Sequence, residues 1–276
     1  TMNRVIFGDC RDTMRDLKAQ GVRVQCCVTS PPYFGLRAYG DDPRELGRER
    51  TPAEYVAGLM EVFDGVRELL SDDGVLFLNI GDGYAGYWGD KTATSTGTEP
   101  KANRRGYDIN ARPSFADAFG GSSIKPKDML GIPWRVAFAL QDAGWYLRQE
   151  IIWRKPTPAA EGRASASRFT RAHESLFMLT KSYRYKFKDD RRLRSVWDIE
   201  PAAGNGLHFA TFPDELPRRC IEVASSVGDV VLDPFHGSGT TGRVAESMGR
   251  NWVACELYSK YAPLQQARTA QAALAV

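Results

Sequence analysis

The chain has 276 residues, 42% hydrophobic and 26% charged, with a net charge of only +3. That is ordinary globular composition, long enough for one large α/β domain or two small ones. It leaves no apolar run of the roughly 18 residues a membrane span needs. The N-terminal stretch TMNRVIFGDC has no long apolar segment and no cleavage signature, so a secretory signal is not expected. The five cysteines, Cys10, Cys26, Cys27, Cys220 and Cys255, are odd in number and form no C-x-x-C pair. They are expected to be buried free thiols in a reducing, cytoplasmic compartment.

Taken in chain order, Val5–Phe7 reads as a short strand leading into Gly8-Asp9-Cys10, with a helix over 11–19 and a second strand over Val24–Val28. Thr51-Pro52-Ala53-Glu54 supplies an N-cap, a proline at the first helical position and an acidic first turn. The helix behind it, 55–70, carries Val56, Leu59, Met60, Phe63, Val66 and Leu70 at helical spacing. Ser71-Asp72-Asp73-Gly74 reads as a turn, and Val75–Ile80 as a fully buried strand. Further on, helices are expected over 132–143, 216–224 and 241–248, and strands over 145–153, 174–179, 230–232 and 252–256. Strands alternating with helices predict a mostly parallel, doubly wound sheet covered on both faces.

Two stretches break this rhythm. Residues 84–127 and 156–172 are rich in Gly, Ser, Thr, Pro or Ala and lack apolar periodicity, so they read as surface insertions, at least partly mobile. Charge is also uneven. Arg148 to Arg194 holds 13 basic and 5 acidic residues, so the rest of the chain is net acidic. A polyanion is therefore expected against residues 156–200, with Arg163, Arg168, Arg171, Arg191, Arg192 and Arg194 as phosphate contacts. Within this region Lys181, Arg184, Lys186 and Lys188 interleave with Tyr183, Tyr185 and Phe187. At strand spacing Arg184, Lys186 and Lys188 share one face and the aromatics face the core. His173 and His208 are far apart in sequence and His236 lies in a glycine loop, so no metal is expected.

That loop follows the strand Val230–Leu232 and reads Asp233-Pro234-Phe235-His236-Gly237-Ser238-Gly239-Thr240-Thr241-Gly242. An ATPase-type phosphate loop requires a lysine after Gly242, and none is present. The G-x-G-x-x-G spacing, with Glu256 19 residues after Gly237, fits a dinucleotide site, but only in a permuted chain, because 20 residues remain after Glu256. A nucleoside cofactor without a pyrophosphate fits as well. Glycines admit close backbone approach, Glu256 takes ribose hydroxyls, and Asp233 welcomes a cation. S-adenosylmethionine has these features. A second unusual stretch, Thr29-Ser30-Pro31-Pro32-Tyr33, ends the strand at 24–28. Two prolines there remove two backbone donors and fix two φ angles.

Together, S-P-P-Y and D-P-F-x-G-S-G-T-T resemble the amino-group DNA methyltransferases, whose catalytic motif is [DNS]-P-P-[YFW]. The catalytic motif comes first and the cofactor motif last, an order that resembles the β class. Phe7–Cys10, Val75–Asp82 (VLFLNIGD), Glu150–Lys155 (EIIWRK), His208–Pro213 (HFATFP) and Trp252–Tyr258 (WVACELY) resemble further elements of the family in the same order. The resemblance implies a single Rossmann-like methyltransferase domain over 1–276, circularly permuted, with target-recognition insertions. It implies S-adenosylmethionine as cofactor, held by Asp9, Cys10, Thr211, Phe212, Asp233, Phe235, Gly237, Ser238, Gly239, Thr240 and Glu256. Phe209 and Phe212 replace the family's usual Pro and Lys. Double-stranded DNA is the implied partner, a homodimer the implied assembly, and a restriction-modification system the implied setting. The catalytic group would be Ser30, Pro31, Pro32 and Tyr33. Ser30 and the Pro31 carbonyl would accept hydrogen bonds from the amine of a flipped base on which Tyr33 stacks. No cysteine follows a proline, so a cytosine-C5 mechanism is not expected. In the family, serine at the first position is frequent with cytosine N4 and also occurs with adenine N6, so the base stays open. An RNA or small-molecule methyltransferase, or a silent nucleic-acid-binding relative, is the alternative.

Overall fold

A computed structural model describes residues 2–36, 39–85, 122–157, 168–188, 194–201 and 212–266. Eight strands form one sheet: β1 (Arg4–Phe7), β2 (Val24–Thr29), β3 (Leu70–Ile80), β4 (Tyr146–Arg154), β5 (His173–Thr180), β6 (Val196–Asp198), β7 (Val230–Asp233) and β8 (Asn251–Glu256). Their spatial order is β1-β8-β7-β2-β3-β5-β4-β6. Every pairing is parallel except those of β5, which runs antiparallel to both β3 and β4. The first residues of β5 therefore lie at the edge where the other strands end.

Helices cover both faces, as the alternating pattern predicts. On one face lie α1 (Cys10–Ala19), α2 (Pro52–Leu69) and α3 (Ile132–Asp142). On the other lie α4 (Glu215–Ala224) and α5 (Thr240–Ser247). The central strand shows why the sheet is buried twice over. In β2, Cys27 packs into the core under α1–α3, whereas Cys26 and Val28 on either side of it pack into the core under α4 and α5. Alternate side chains of a strand point to opposite faces, so one apolar run serves both cores. The start of α2 is built as its residues dictate: Thr51 accepts from the Glu54 backbone N–H, and the Glu54 carboxylate accepts from the Thr51 N–H. All five cysteines are buried free thiols.

Three expectations change. The turn at Ser71–Gly74 is instead a bulge inside β3. Leu70 pairs with Val24 and Val75 with Cys26, so four residues of β3 stand against one of β2. Leu70 is fully buried and holds the strand's first residue in the sheet while the polar residues loop out. The second change concerns 181–188, which is not a strand. It bends away after β5, with the Lys186 N–H donating to the Asp73 carbonyl and the Lys188 N–H to that of Val223. Lys181 pairs with Asp72 and Lys186 with Asp229, at the edge where the parallel strands begin. Tyr183 and Phe187 are exposed, and Tyr185 alone of the three packs against the core. Third, β6 was not expected. It is three residues long and exposes Val196 and Asp198, so it carries little apolar signal.

Candidate active site

The corner Ser30-Pro31-Pro32-Tyr33 leaves β2 at the carboxyl edge of the sheet, where open α/β folds bind ligands. The glycine loop leaves the adjacent strand β7 at the same edge. The two are tied directly although 204 residues separate them: the Thr29 hydroxyl donates to Asp233 Oδ1 at 2.7 Å. The Thr241 hydroxyl, in the first turn of α5, donates to the Val28 carbonyl at 3.2 Å. The two motifs thus form one wall of a single cavity of about 440 Å³, within the usual range for small-ligand sites.

The cavity has two halves. Asp9, Cys10, Phe212, Asp233, Phe235, Gly237, Ser238, Thr240 and Glu256 line one of them. Gly237 and Gly239 both have positive φ, 53° and 90°, a region glycine reaches without a Cβ penalty. Gly239 sits at the cap of α5 just outside the lining, and Thr211 lies outside the described residues. Glu256 accepts from the Gly237 N–H at 2.8 Å and the Tyr258 N–H at 3.0 Å, so β8 and the glycine loop share one carboxylate. Burial nevertheless pushes the Glu256 carboxyl up to about 7 against those hydrogen bonds. Burial likewise pushes Asp233 up to about 6, against hydrogen bonds from Thr29 and the Phe235 N–H. Asp9 moves the other way: burial raises it, but Arg11, bonded through its backbone N–H and its guanidinium, outweighs burial and holds the carboxyl low. Burial also pushes His236 down to about 4, so its imidazole is neutral, stacked on Trp252 with ring centroids 5.2 Å apart. A half-cavity walled by two desolvated acids fits a ligand with a ribose and a positive charge, the features of S-adenosylmethionine.

The other half is lined by Ser30, Pro31, Pro32, Tyr33, Asn79, Trp153, Lys155 and Glu174. The Pro32 carbonyl accepts from the Tyr55 hydroxyl at 2.7 Å, which anchors the corner to α2. The Tyr33 hydroxyl donates to Glu174 Oε2 at 2.7 Å and lies 3.3 Å from Asn79 Oδ1. Asn79 in turn donates to Glu174 at 3.2 Å, and Lys155 pairs with the other Glu174 oxygen. Sequence reasoning placed Lys155 in a family strand but missed this cluster. Its members come from β3, β4 and β5, which only the sheet order brings together. It also missed the segment over 39–46, where the Tyr39 and Gly40 N–H groups donate to Glu45 and the Tyr258 hydroxyl donates to Glu45 Oε2 at 2.5 Å. Tyr39, Arg44, Glu45, Tyr258 and Tyr261 extend the lining.

The expected DNA-contact arginines separate. Arg163, Arg191 and Arg192 lie outside the described residues, as does 86–121 of the first insertion. Arg168 and Arg171 lie over the Tyr84 ring, 3.8 and 5.6 Å from its centroid, just past the end of β3 on the cavity side of the sheet. Arg171 also sits 3.5 Å from Asp82, which caps α3 through the Gly131 and Ile132 N–H groups. Arg194 is exposed ahead of β6 and lines no part of the cavity.

Comparison with known proteins decides the family. The family model for DNA methylases of the N6/N4 methyltransferase type matches residues 24–267. The chain belongs to that family. It is 42% identical to the Type II methyltransferase M.Cfr9I of Citrobacter freundii, over 92% of this chain and 83% of that protein. It is 39% identical to M.SmaI of Serratia marcescens, over 96% of this chain and 90% of that one. Among solved structures, the cytosine-N4-specific PvuII DNA methyltransferase aligns with a TM-score of 0.69 at 20% identity, covering 97% of this chain and 86% of that chain. A putative DNA modification methylase of Thermus thermophilus, solved in complex with S-adenosyl-L-methionine, aligns at 0.65 with 26% identity, covering 98% and 93%. The N6/N4 methylase is thus a site-specific DNA amino-methyltransferase that uses S-adenosylmethionine, on a mostly parallel, Rossmann-like sheet. None of its described helices is long and apolar enough to cross a membrane.

Proposed function

We propose that this methylase acts on the exocyclic N4 amine of a cytosine turned out of duplex DNA. The supporting observation is Ser30, a hydroxyl rather than a carboxylate at the head of the corner, in the same cavity as the glycine loop. S-adenosylmethionine, held by Asp233, Phe235, Gly237–Thr240 and Glu256 with Asp9, Cys10, Thr211 and Phe212 around it, supplies an electrophilic methyl on a sulfonium. The target amine donates to Ser30 Oγ and the Pro31 carbonyl, which localises its lone pair on nitrogen. Tyr33 stacks on the flipped ring. The catalytic gain is then mostly orientation of two bound reactants with electrostatic support for charge developing on nitrogen.

Arg168 and Arg171 hold a phosphate beside the mouth, and Arg163, Arg191, Arg192 and Arg194 extend that contact within a recognition region over 156–200. The run 181–188 is left out, because Lys181 and Lys186 are paired at the far edge. A second copy is the proposed cover for Met129, Trp134, Phe138 and Tyr146, large apolar side chains left exposed around α3. Sedimentation of the free protein tests that dimer. The Type II relatives support a cytoplasmic role beside a restriction enzyme. The deciding experiment is mass spectrometry of nucleosides from DNA of a host expressing the chain. N4-methylcytosine is expected, N6-methyladenine would transfer the reading to adenine, and neither in any host DNA would overturn it.

A further inference from the structure

Only two residues of the corner have been given work on the amine, yet Tyr33 carries a hydroxyl that stacking does not need. That hydroxyl is the centre of a polar chain. On one side Ser30 lines the same cavity beside Tyr33, and its hydroxyl favours ionisation of the Tyr33 phenol, as a neighbouring donor does. On the other, the phenol donates to Glu174 Oε2 at 2.7 Å, with the Asn79 amide donating to the same oxygen and Lys155 on the second one. The pair is largely buried, with side-chain exposures of 20% for Lys155 and 15% for Glu174. An acid and a base side by side at the base end of the cavity are costly to bury without a use or a full set of partners. Here the partners form a line that starts at the proposed amine acceptor.

We propose that Ser30, Tyr33 and Glu174 form a relay that removes the proton the target amine must lose, with Glu174 as its terminus. The proposal rests on the reading of Ser30 as the amine's acceptor. As the nitrogen–methyl bond forms, the carbon–sulfur bond breaks and its electron pair stays on sulfur. The nitrogen releases one proton to Ser30 Oγ, whose own proton passes to Tyr33 Oη, whose proton passes to Glu174 Oε2. Serine and tyrosine end unchanged, and the carboxylate ends protonated before giving the proton to solvent at the cavity mouth. Lys155 supplies the counter-charge that the carboxylate has before transfer, and Asn79 fixes the orientation. Because the chain passes through a phenol, a phenylalanine in the same place stacks equally well but ends the relay.

Single-turnover methylation at saturating cofactor and duplex DNA tests this with Tyr33→Phe, Glu174→Gln and the double variant. Each single change is expected to slow transfer by about 100-fold or more, with affinities for DNA and cofactor within about threefold of the parent. The double variant is expected to be no slower than the slower single one, since both cut one line. The parent is expected to show a solvent deuterium isotope effect that both variants lose. In cofactor-free protein, the Tyr33 hydroxyl proton is expected as a downfield, slowly exchanging resonance, absent in Tyr33→Phe and shifted upfield in Glu174→Gln. Rates within about twofold of the parent, additive losses, or an isotope effect retained in the variants overturn the relay. A parent protein that methylates no DNA refutes the proposed function instead, and the resonance still reports whether the hydrogen-bonded chain exists.

Discussion

Cofactor affinity is expected to depend steeply on pH, because the half of the cavity meant for a cation is walled by two carboxyls that burial has made reluctant to ionise. Asp233 titrates at about 6 and Glu256 at about 7. A cationic ligand that hydrogen-bonds to carboxylates binds the ionised forms, so protonation competes with it. With the two groups independent, lowering the pH from 8 to 6 protonates most of Glu256 and half of Asp233, which weakens binding about 20-fold, or about 2 kcal/mol. Titration calorimetry with S-adenosylmethionine at pH 6, 7 and 8 measures this directly. Glu256→Gln removes the larger share, leaving a pH effect of about twofold from Asp233 alone. The same shifts fix the sign for the free protein. Both carboxyls bind protons more tightly when folded than when unfolded, so their contribution to stability is complete below the unfolded values. It is lost as the pH rises through about 6 and about 7. The cofactor reverses that loss, so the rise in melting temperature it causes should be larger at pH 8 than at pH 6. A cofactor affinity that is flat between pH 6 and 8 would refute the placement of the positive charge beside these acids.

Three further outcomes follow from the geometry. Gly242→Ala would put a methyl group 2.9 Å from His236 Cε1 and from the Trp252 ring, inside a stacked pair. The overpacking should cost about 1–3 kcal/mol, read as a lower melting temperature, with catalysis impaired in step. Tyr55→Phe removes the 2.7 Å hydrogen bond to the Pro32 carbonyl. Denaturant titration should show a loss of about 1 kcal/mol, and steady-state kinetics should show kcat falling while cofactor affinity holds, because the corner moves and the glycine loop does not. Arg168→Ala with Arg171→Ala should weaken duplex binding about equally for cognate and non-cognate DNA. It should also reduce the slope of log affinity against log salt by about 2 in fluorescence titrations, as expected for phosphate contacts. A loss confined to cognate DNA would instead make them base readers.

How far the site was legible follows from which interactions are local. The glycine loop and the two prolines announce themselves because backbone constraints act within a few residues: φ freedom at Gly237 and Gly239, a missing donor at Pro31 and Pro32. The order of strands and helices was legible for the same reason, since periodicity is a near-neighbour property. The Ser71–Gly74 bulge shows the limit. Its residues have turn chemistry, and only the fully buried Leu70 pairing with Val24 keeps them in the strand. The basic run shows it more sharply. Lys181 and Lys186 were counted in the basic region expected to meet a polyanion, yet β5 runs antiparallel and carries its two ends to opposite edges of the sheet. Charge density along the chain does not say which edge of the sheet a cation reaches, and strand direction does. The same reversal has the opposite effect at the other end of β5, where Glu174, its second residue, arrives beside Tyr33 from 141 residues away. An all-parallel sheet would have put that carboxylate at the far edge. The single antiparallel strand is thus what sets a carboxylate beside the corner, where the proposed relay needs its terminus.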